Sequence, residues 1–255
     1  MKFLVMRKKG IVKTLAVVLV SAFLLLAVGF TGSAAVFGGK TTRKLPIYSV
    51  ETEEKTVALS FDASWGADKT LDILDTLTRY DIQANYFVVS FWAEKYPDVL
   101  KKLSESGRVE IGTHSNTHPH MSKLSKNQIE LELRSSMEII EKTTGKKVDL
   151  FRPPFGDYND TLLSEAEKLG LYTIQWDVDS LDWKELSATA MAERVLKCVK
   201  NGSIVLMHND GKNTVQALPL IIEGLKNKGY SFKTIGELIY RDNYEIDHTG
   251  RQIRR

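Results

Sequence analysis

Two histidines four positions apart, His114 and His118, close the stretch His114, Ser115, Asn116, Thr117, His118, which follows an apolar run and Gly112. Imidazoles at that spacing can share one metal ion. Pro119 disfavours helical backbone at His118, so the pair belongs on a strand-end loop and not on a helix face. His120 is a third imidazole, kept as a reserve ligand. Four more polar groups stand just after apolar runs: Asp62, Arg152, Asp179 with Asp182, and His208. Taken singly each has a plain reading, with Asp62 as a helix cap, Arg152 to Gly156 as a rigid turn, and His208 as a satisfied core histidine. Pro153 and Pro154 fix their loop and leave the backbone N–H of Phe155 able to point into a site. Asp177, Asp179 and Asp182 lie between Trp176 and Trp183, an unusual composition for a plain surface loop.

Such scattered groups need a scaffold that gathers them. Apolar, β-rich runs recur at residues 57–61, 84–89, 109–111, 148–151, 172–176 and 204–207, with a weaker one at 230–235. Helical periodicity fills the gaps: Leu71, Leu74 and Leu77; Leu100 and Leu103; Ile129, Leu133, Met137 and Ile140; Leu162, Ala166 and Leu169. Most of these segments stop at a glycine, as helices do when the chain turns left-handed. Strand, helix, glycine, strand, repeated, argues a parallel sheet of βα units. An open doubly wound sheet gathers ligands at one switch point. Here five of seven strand ends carry candidate chemistry, which favours a distorted (β/α)7-type barrel with its site at the C-terminal strand ends.

The 255 residues, 43% hydrophobic and 26% charged, suffice for one globular domain and an additional N-terminal segment. Residues 1–13 carry Lys2, Arg7, Lys8, Lys9 and Lys13, and residues 14–39 carry no charge. That pattern predicts a cytoplasmic N-terminus and a membrane-spanning helix, either a signal-anchor or a signal peptide removed near Gly32 to Ala35. Residues 40–47 read as a linker, 48–245 as the catalytic domain and 246–255 as a polar tail. The working domain is then outside the cytoplasm, membrane-anchored or secreted. Eight of the 35 basic residues precede the first acid, Glu51, leaving 27 basic against 32 acidic from there on. An acidic domain argues against nucleic acid as a partner. Cys198 is the single cysteine, so no intramolecular disulfide forms, and the apolar pattern around it predicts burial.

Together the five clusters resemble the polysaccharide deacetylases of carbohydrate esterase family 4, the NodB-homology domain, over roughly residues 55–238. The five motifs are Ser60 to Ala63, His114 to His118, Arg152 to Gly156, Asp179 to Trp183, and Leu206 to His208. The run from Ser60 to Gly66, with the N-terminal segment, looks most like the sporulation-associated subgroup. The resemblance implies a metal-dependent N-deacetylase of peptidoglycan or chitin-like glycans that releases acetate. His114 and His118 would hold a divalent metal, zinc first, with cobalt or another ion possible. Asp62 would be the general base, tethered by Arg152. His208, oriented by Asp182, would be the general acid. The Phe155 N–H would face the oxyanion, while Trp183 and Leu206 would line the acetyl pocket. The resemblance implies the glycan as partner, and the N-terminal helix the membrane; no protein partner is indicated.

One position departs from the pattern. The family's first motif has two consecutive aspartates, base then metal ligand, and the second is Ala63 here. Three outcomes follow: Asp62 turns to the metal, another side chain such as Asp68 or His120 substitutes, or the metal position is largely empty. A glycan-binding pseudoenzyme, weakly active or inactive, is therefore the alternative function.

Overall fold

The structure is a computed structural model that describes residues 43–255, of which Lys44–Arg255 form one compact unit. The predicted membrane segment at 14–39 lies outside the described residues. Among the described residues no helix is long and apolar enough to cross a membrane.

In chain order the unit runs β1 (Ser49–Val50), β2 (Thr56–Ala63), α1 (Thr70–Arg79), β3 (Ala84–Val88), α2 (Ser90–Lys95), α3 (Pro97–Glu105), β4 (Val109–Thr113) and α4 (Lys126–Thr144). It continues with β5 (Leu150–Phe151), α5 (Asp160–Lys168), β6 (Tyr172–Thr173), β7 (Val178–Asp179), α6 (Ala188–Cys198), β8 (Ser203–His208) and α7 (Thr214–Asn227). The last elements are β9 (Ser231–Phe232), α8 (Ile235–Leu238), β10 (Tyr244–Ile246) and β11 (Arg251–Arg254).

Strand β2 is the axis of the sheet and is buried along its whole length. It pairs in parallel with β3 on one side and with β8 on the other, and parallel pairing continues through β4 and β5 to β6. The register sets Asp62 opposite both Phe87 and His208, so two of the candidate groups meet because their strands end level. Strand β7 adds in parallel to β8. Among the described residues no pairing joins β6 to β7, so the barrel is incompletely closed. The entering chain covers this seam, with Ile47 bridging Ile174 and Ser49 pairing antiparallel with Ser203. The class is thus an α/β fold whose parallel strands form a partial barrel.

Alternation along β2 divides its residues between two layers. Val57, Leu59, Phe61 and Ala63 belong to the large apolar cluster shared with the helices, while Ala58 belongs to a second cluster that includes Phe87 and Ile204. Helices α1 and α4 bury Ile73 and Leu77, and Ile129, Leu133 and Ile140, close to the periodicity read from sequence. Helix α4 starts in a reciprocal capping box between Ser125 and Gln128, which satisfies two otherwise orphaned N–H groups. It stops at Gly145 in the left-handed conformation.

Two expectations change. Cys198 is exposed. It is the last residue of α6, whose buried side is made by Met191, Ala192 and Val195, and the helix ends before its final turn is covered. Residues 246–255, read as a polar tail, contain β11, which pairs with β10 and in parallel with β1 and buries Gln252.

Candidate active site

The strand ends surround a pocket of about 520 Å³, into which Asp62, His114, His118 and His208 project. Its floor is built from charge. Arg152, fully buried at the end of β5, donates from Nη1 to Asp62 Oδ1 at 2.8 Å and from Nη2 to Ser60 Oγ at 2.9 Å and the Gln175 carbonyl at 3.2 Å. Ser60 and Asp62 are two residues apart on β2 and so present one face to the guanidinium. The Phe87 ring lies beneath it, 4.1 Å from the guanidinium carbon. Gly112 on β4 makes room for that ring, since a Cβ there would meet it at 2.7 Å. A buried guanidinium is tolerable only with such partners. Burial alone would raise the Asp62 pKa, but Arg152, and to a lesser extent His114 and His208, outweigh it and hold the carboxyl below its usual value.

His114 directly follows β4, with Nδ1 2.7 Å from the Arg152 carbonyl oxygen. A carbonyl only accepts, so Nδ1 carries the proton, and Nε2 is left with its lone pair 3.5 Å from Asp62 Oδ2. His118 reaches back beside it, ring centroids 4.9 Å apart. The loop between them is shaped by left-handed backbone at Ser115 and His118, and it is fastened by Glu132 of α4. That carboxylate accepts the Asn116 and Thr117 N–H groups at 2.9 and 2.8 Å and the Thr117 hydroxyl at 2.6 Å. Burial keeps both imidazoles neutral, with His118, which also faces His114, pushed down to about 4.

His208 stands on the other side. Its Nδ1 donates to Asp182 Oδ1 at 2.7 Å, while Asp182 Oδ2 accepts the His208 backbone N–H at 2.6 Å and the Thr214 hydroxyl at 2.8 Å. Burial would lower the His208 pKa, but the hydrogen bond and charge of Asp182 reverse this and raise it, with help from Asp62 and Asp179. Nε2 is thereby the atom left to exchange a proton across the pocket.

Phe155, Trp183 and Leu206 also line the pocket, as does Asp179. The Phe155 backbone is left-handed at φ 60°. Asp179 accepts the Leu181 N–H at 2.8 Å and the Trp183 indole N–H at 3.4 Å, so it shapes the rim loop. Asp177, between the same tryptophans, turns away to Ser203 and the Ile204 N–H and is structural.

The reserve ligands fall outside this arrangement. His120 is half exposed, stacks on the Phe155 ring at 4.3 Å and stands 3.5 Å from Asp157. Asp68 is exposed and does not line the pocket. Ala63 is fully buried with the helix-side cluster. Among the described residues no group of three or more His, Cys, Asp or Glu side chains could hold a metal ion. The donors present therefore do not fit a three-ligand zinc site. His114 and His118 supply two nitrogens, and Asp62 is already engaged by Arg152.

Ser60 and Trp65 lie in the first motif's run but carry no role in the sequence reading, and Thr214 is absent from it. For Ser60 a signal existed, since it shares the strand face of Asp62. Thr214 follows the fifth motif by six residues with no pattern that marks it.

Residues 49–174 match the family model described as polysaccharide deacetylase. YlxY of Bacillus subtilis (strain 168) is 32% identical over 194 residues, covering 76% of this chain and 60% of that protein. The peptidoglycan-N-acetylmuramic acid deacetylase PdaA of the same organism is 33% identical over 203 residues, covering 78% and 77%. The chain thus spans less than two thirds of YlxY and about three quarters of PdaA. Among solved structures, wild-type BA3943 of Bacillus anthracis, described as a CE4 family pseudoenzyme, has a TM-score of 0.74 at 32% identity, covering 82% of this chain and 73% of that one. A variant of that protein is described as having restored enzymatic activity. The chain belongs to the polysaccharide deacetylase family, the hydrolases of carbohydrate esterase family 4.

Proposed function

We propose that the protein hydrolyses the N-acetyl group of N-acetylated cell-wall glycans, peptidoglycan or chitin-like, releasing acetate and leaving a free amine on the sugar. The observation that carries this reading is the opposite tuning of two groups across one pocket. Asp62 is held ionised, the form of a base, and His208 is held ready to be protonated, the form of an acid. In such a reaction Asp62 takes a proton from the attacking water, Arg152 keeps its carboxylate in place, and His208 gives a proton from Nε2 to the departing nitrogen. The Phe155 N–H stands for the oxyanion donor, and Trp183 and Leu206 for the walls around the acetyl methyl. The names of relatives such as PdaA support peptidoglycan as the polymer.

A second reading is favoured by Ala63. With two imidazoles in place of a three-ligand set, a glycan-binding pseudoenzyme fits the same pocket. The family resemblance supports a divalent metal, zinc first and cobalt next, held by His114 and His118. Two nitrogens bind such an ion weakly. The basic 1–13 and uncharged 14–39 segments support a domain outside the cytoplasm, anchored or secreted, in cell-wall or spore biology.

Acetate release from N-acetylated peptidoglycan fragments and chito-oligomers, with and without added zinc or cobalt, decides between the readings. Hydrolysis requires release by the wild type that His208→Ala loses. Equal background from both proteins, with glycan binding intact in each, leaves the binder.

A further inference from the structure

The Phe155 ring is 59% exposed and belongs to neither apolar cluster, so packing into the core does not hold it. Its backbone is nonetheless left-handed at φ 60°, a conformation that costs a residue with a side chain free energy and persists only where neighbours enforce it. Two imidazoles meet the ring: His118, itself a pocket group, edge-on at 4.5 Å, and His120 stacked at 4.3 Å with an interplanar angle of 21°. His120 is fastened from outside the pocket. It opens the short helical turn Met121–Lys123, where the Lys123 N–H donates to its carbonyl at 3.1 Å and Met121 is fully buried. Within that turn Ser122 donates to Asp157 from Oγ at 2.7 Å and from its N–H at 3.2 Å, and its own carbonyl accepts the Asn159 side-chain amide at 2.8 Å. Asp157 Oδ2 also stands 3.5 Å from His120 Nδ1. Asp157 and Asn159 follow Phe155 on one loop, so the turn that carries His120 is bolted to the loop that carries Phe155.

We propose that His120 is a positioning residue, whose ring clamps Phe155 in the left-handed turn that aims its N–H into the pocket. This rests on the deacetylase reading above, in which that N–H faces the oxyanion. Such a donor acts only within hydrogen-bond reach of the charge that develops, so a small swing of the loop costs rate more than binding. Pro153 and Pro154 fix the chain before Phe155, and the Gln175 amide holds the Gly156 carbonyl after it at 3.1 Å. The Phe155 ring itself is left to His120, because His118 is the neighbour that a metal ion or substrate would engage. Offset rings attract one another without a charge on either, so the clamp needs a flat ring at position 120 and not a ligand nitrogen.

The test pairs steady-state acetate release with the backbone amide resonance of Phe155 in the full chain carrying isotope-labelled phenylalanine, the line being identified by its loss in Phe155→Tyr. His120→Ala should lower kcat about tenfold with KM within about twofold of the wild type, and should shift and broaden the Phe155 line. His120→Phe keeps the ring and discards the nitrogens, and should restore both readouts. Zinc titration should be the same in all three proteins. A raised KM with kcat unchanged would make His120 a substrate contact, and weaker zinc binding in both variants would make it a ligand; either overturns the clamp, as does a His120→Phe variant as slow as His120→Ala. An unmoved Phe155 line in His120→Ala overturns the clamp while the deacetylase reading stands. No release by the wild type overturns the deacetylase reading and the part of His120 in it, whatever the Phe155 line shows.

Discussion

His208 and His118 face one pocket from opposite sides and are supported in opposite ways. His208 is held by a carboxylate that receives three hydrogen bonds, two from His208 itself and one from Thr214, and its pKa is raised. His118 sits on left-handed backbone beside a second imidazole, and its pKa is pushed down to about 4. The same side chain is thus prepared as a proton donor on one side and as a neutral lone-pair donor on the other, with neighbours deciding which. The difference also shows where the molecule is complete. Every member of the acid side is present and mutually bonded, whereas the nitrogen side lacks the carboxylate that its motif ordinarily adds, because Ala63 stands there.

The comparison can be broken from either side. The largest expected effect is on the acid side, where His208→Ala should lower the rate of acetate release by about 10²–10⁴-fold, the usual worth of a positioned acid or base. A loss below threefold in steady-state kinetics would remove His208 from the reaction. Arg152→Ala reaches the floor common to both sides. It strands Asp62 as a buried charge and should destabilise the fold by about 3–5 kcal/mol in denaturant unfolding; a loss under 1 kcal/mol would mean that the Asp62–Arg152 pair is solvated.

Ala63→Asp acts on the nitrogen side. It supplies the missing carboxylate and should tighten zinc binding by about tenfold or more in a metal titration, on the scale of other changes around metal sites. Because residue 63 is fully buried in the helix-side cluster, the same variant should melt at a lower temperature. An unchanged titration would show that residue 63 stays turned to the helices. The smallest effect is on pH dependence. A raised His208 pKa means that its acid form, and the stability that its protonation contributes, persists past the ordinary value of about 6.5 and is lost as pH rises through the folded pKa. Acetate release should decline along that alkaline limb. On the acid side His118 stays neutral until pH approaches about 4, and Asp62, held below its usual value by Arg152, stays ionised over the same range, so the rate should hold level down to that region. A rate that climbs through the His208 limb would reverse its role.

Much of this is legible in the sequence alone, for a physical reason. Parallel strands buried on both faces read as apolar runs, and chemistry at their C-terminal ends interrupts those runs, so Asp62, His114, Arg152 and His208 stand out. Two-residue strands do not produce such a signal. β7 leaves no run of its own, since the two residues Val178–Asp179 simply pair with β8. The β10–β11 hairpin is polar in sequence, and its pairing with β1, together with the amide exchange between Gln252 and the Tyr240 backbone, draws Gln252 inside. Supporting residues are equally silent, since Thr214 serves Asp182 across 32 positions of chain. His120 shows the converse error. Proximity in sequence to His118 suggested a shared ion, whereas the backbone directs its ring onto Phe155. Cys198 carried the right apolar periodicity but fell on the uncovered end of its helix.

The most direct test of the completed acid side and the deficient nitrogen side is one acetate-release experiment. Wild type, His208→Ala and Ala63→Asp are assayed on N-acetylated peptidoglycan fragments, with bound zinc measured in the same samples. Release should be slow in the wild type, absent in His208→Ala, and faster in Ala63→Asp in step with its zinc content. Equal release from wild type and His208→Ala at any zinc content would contradict a deacetylase site built on that histidine.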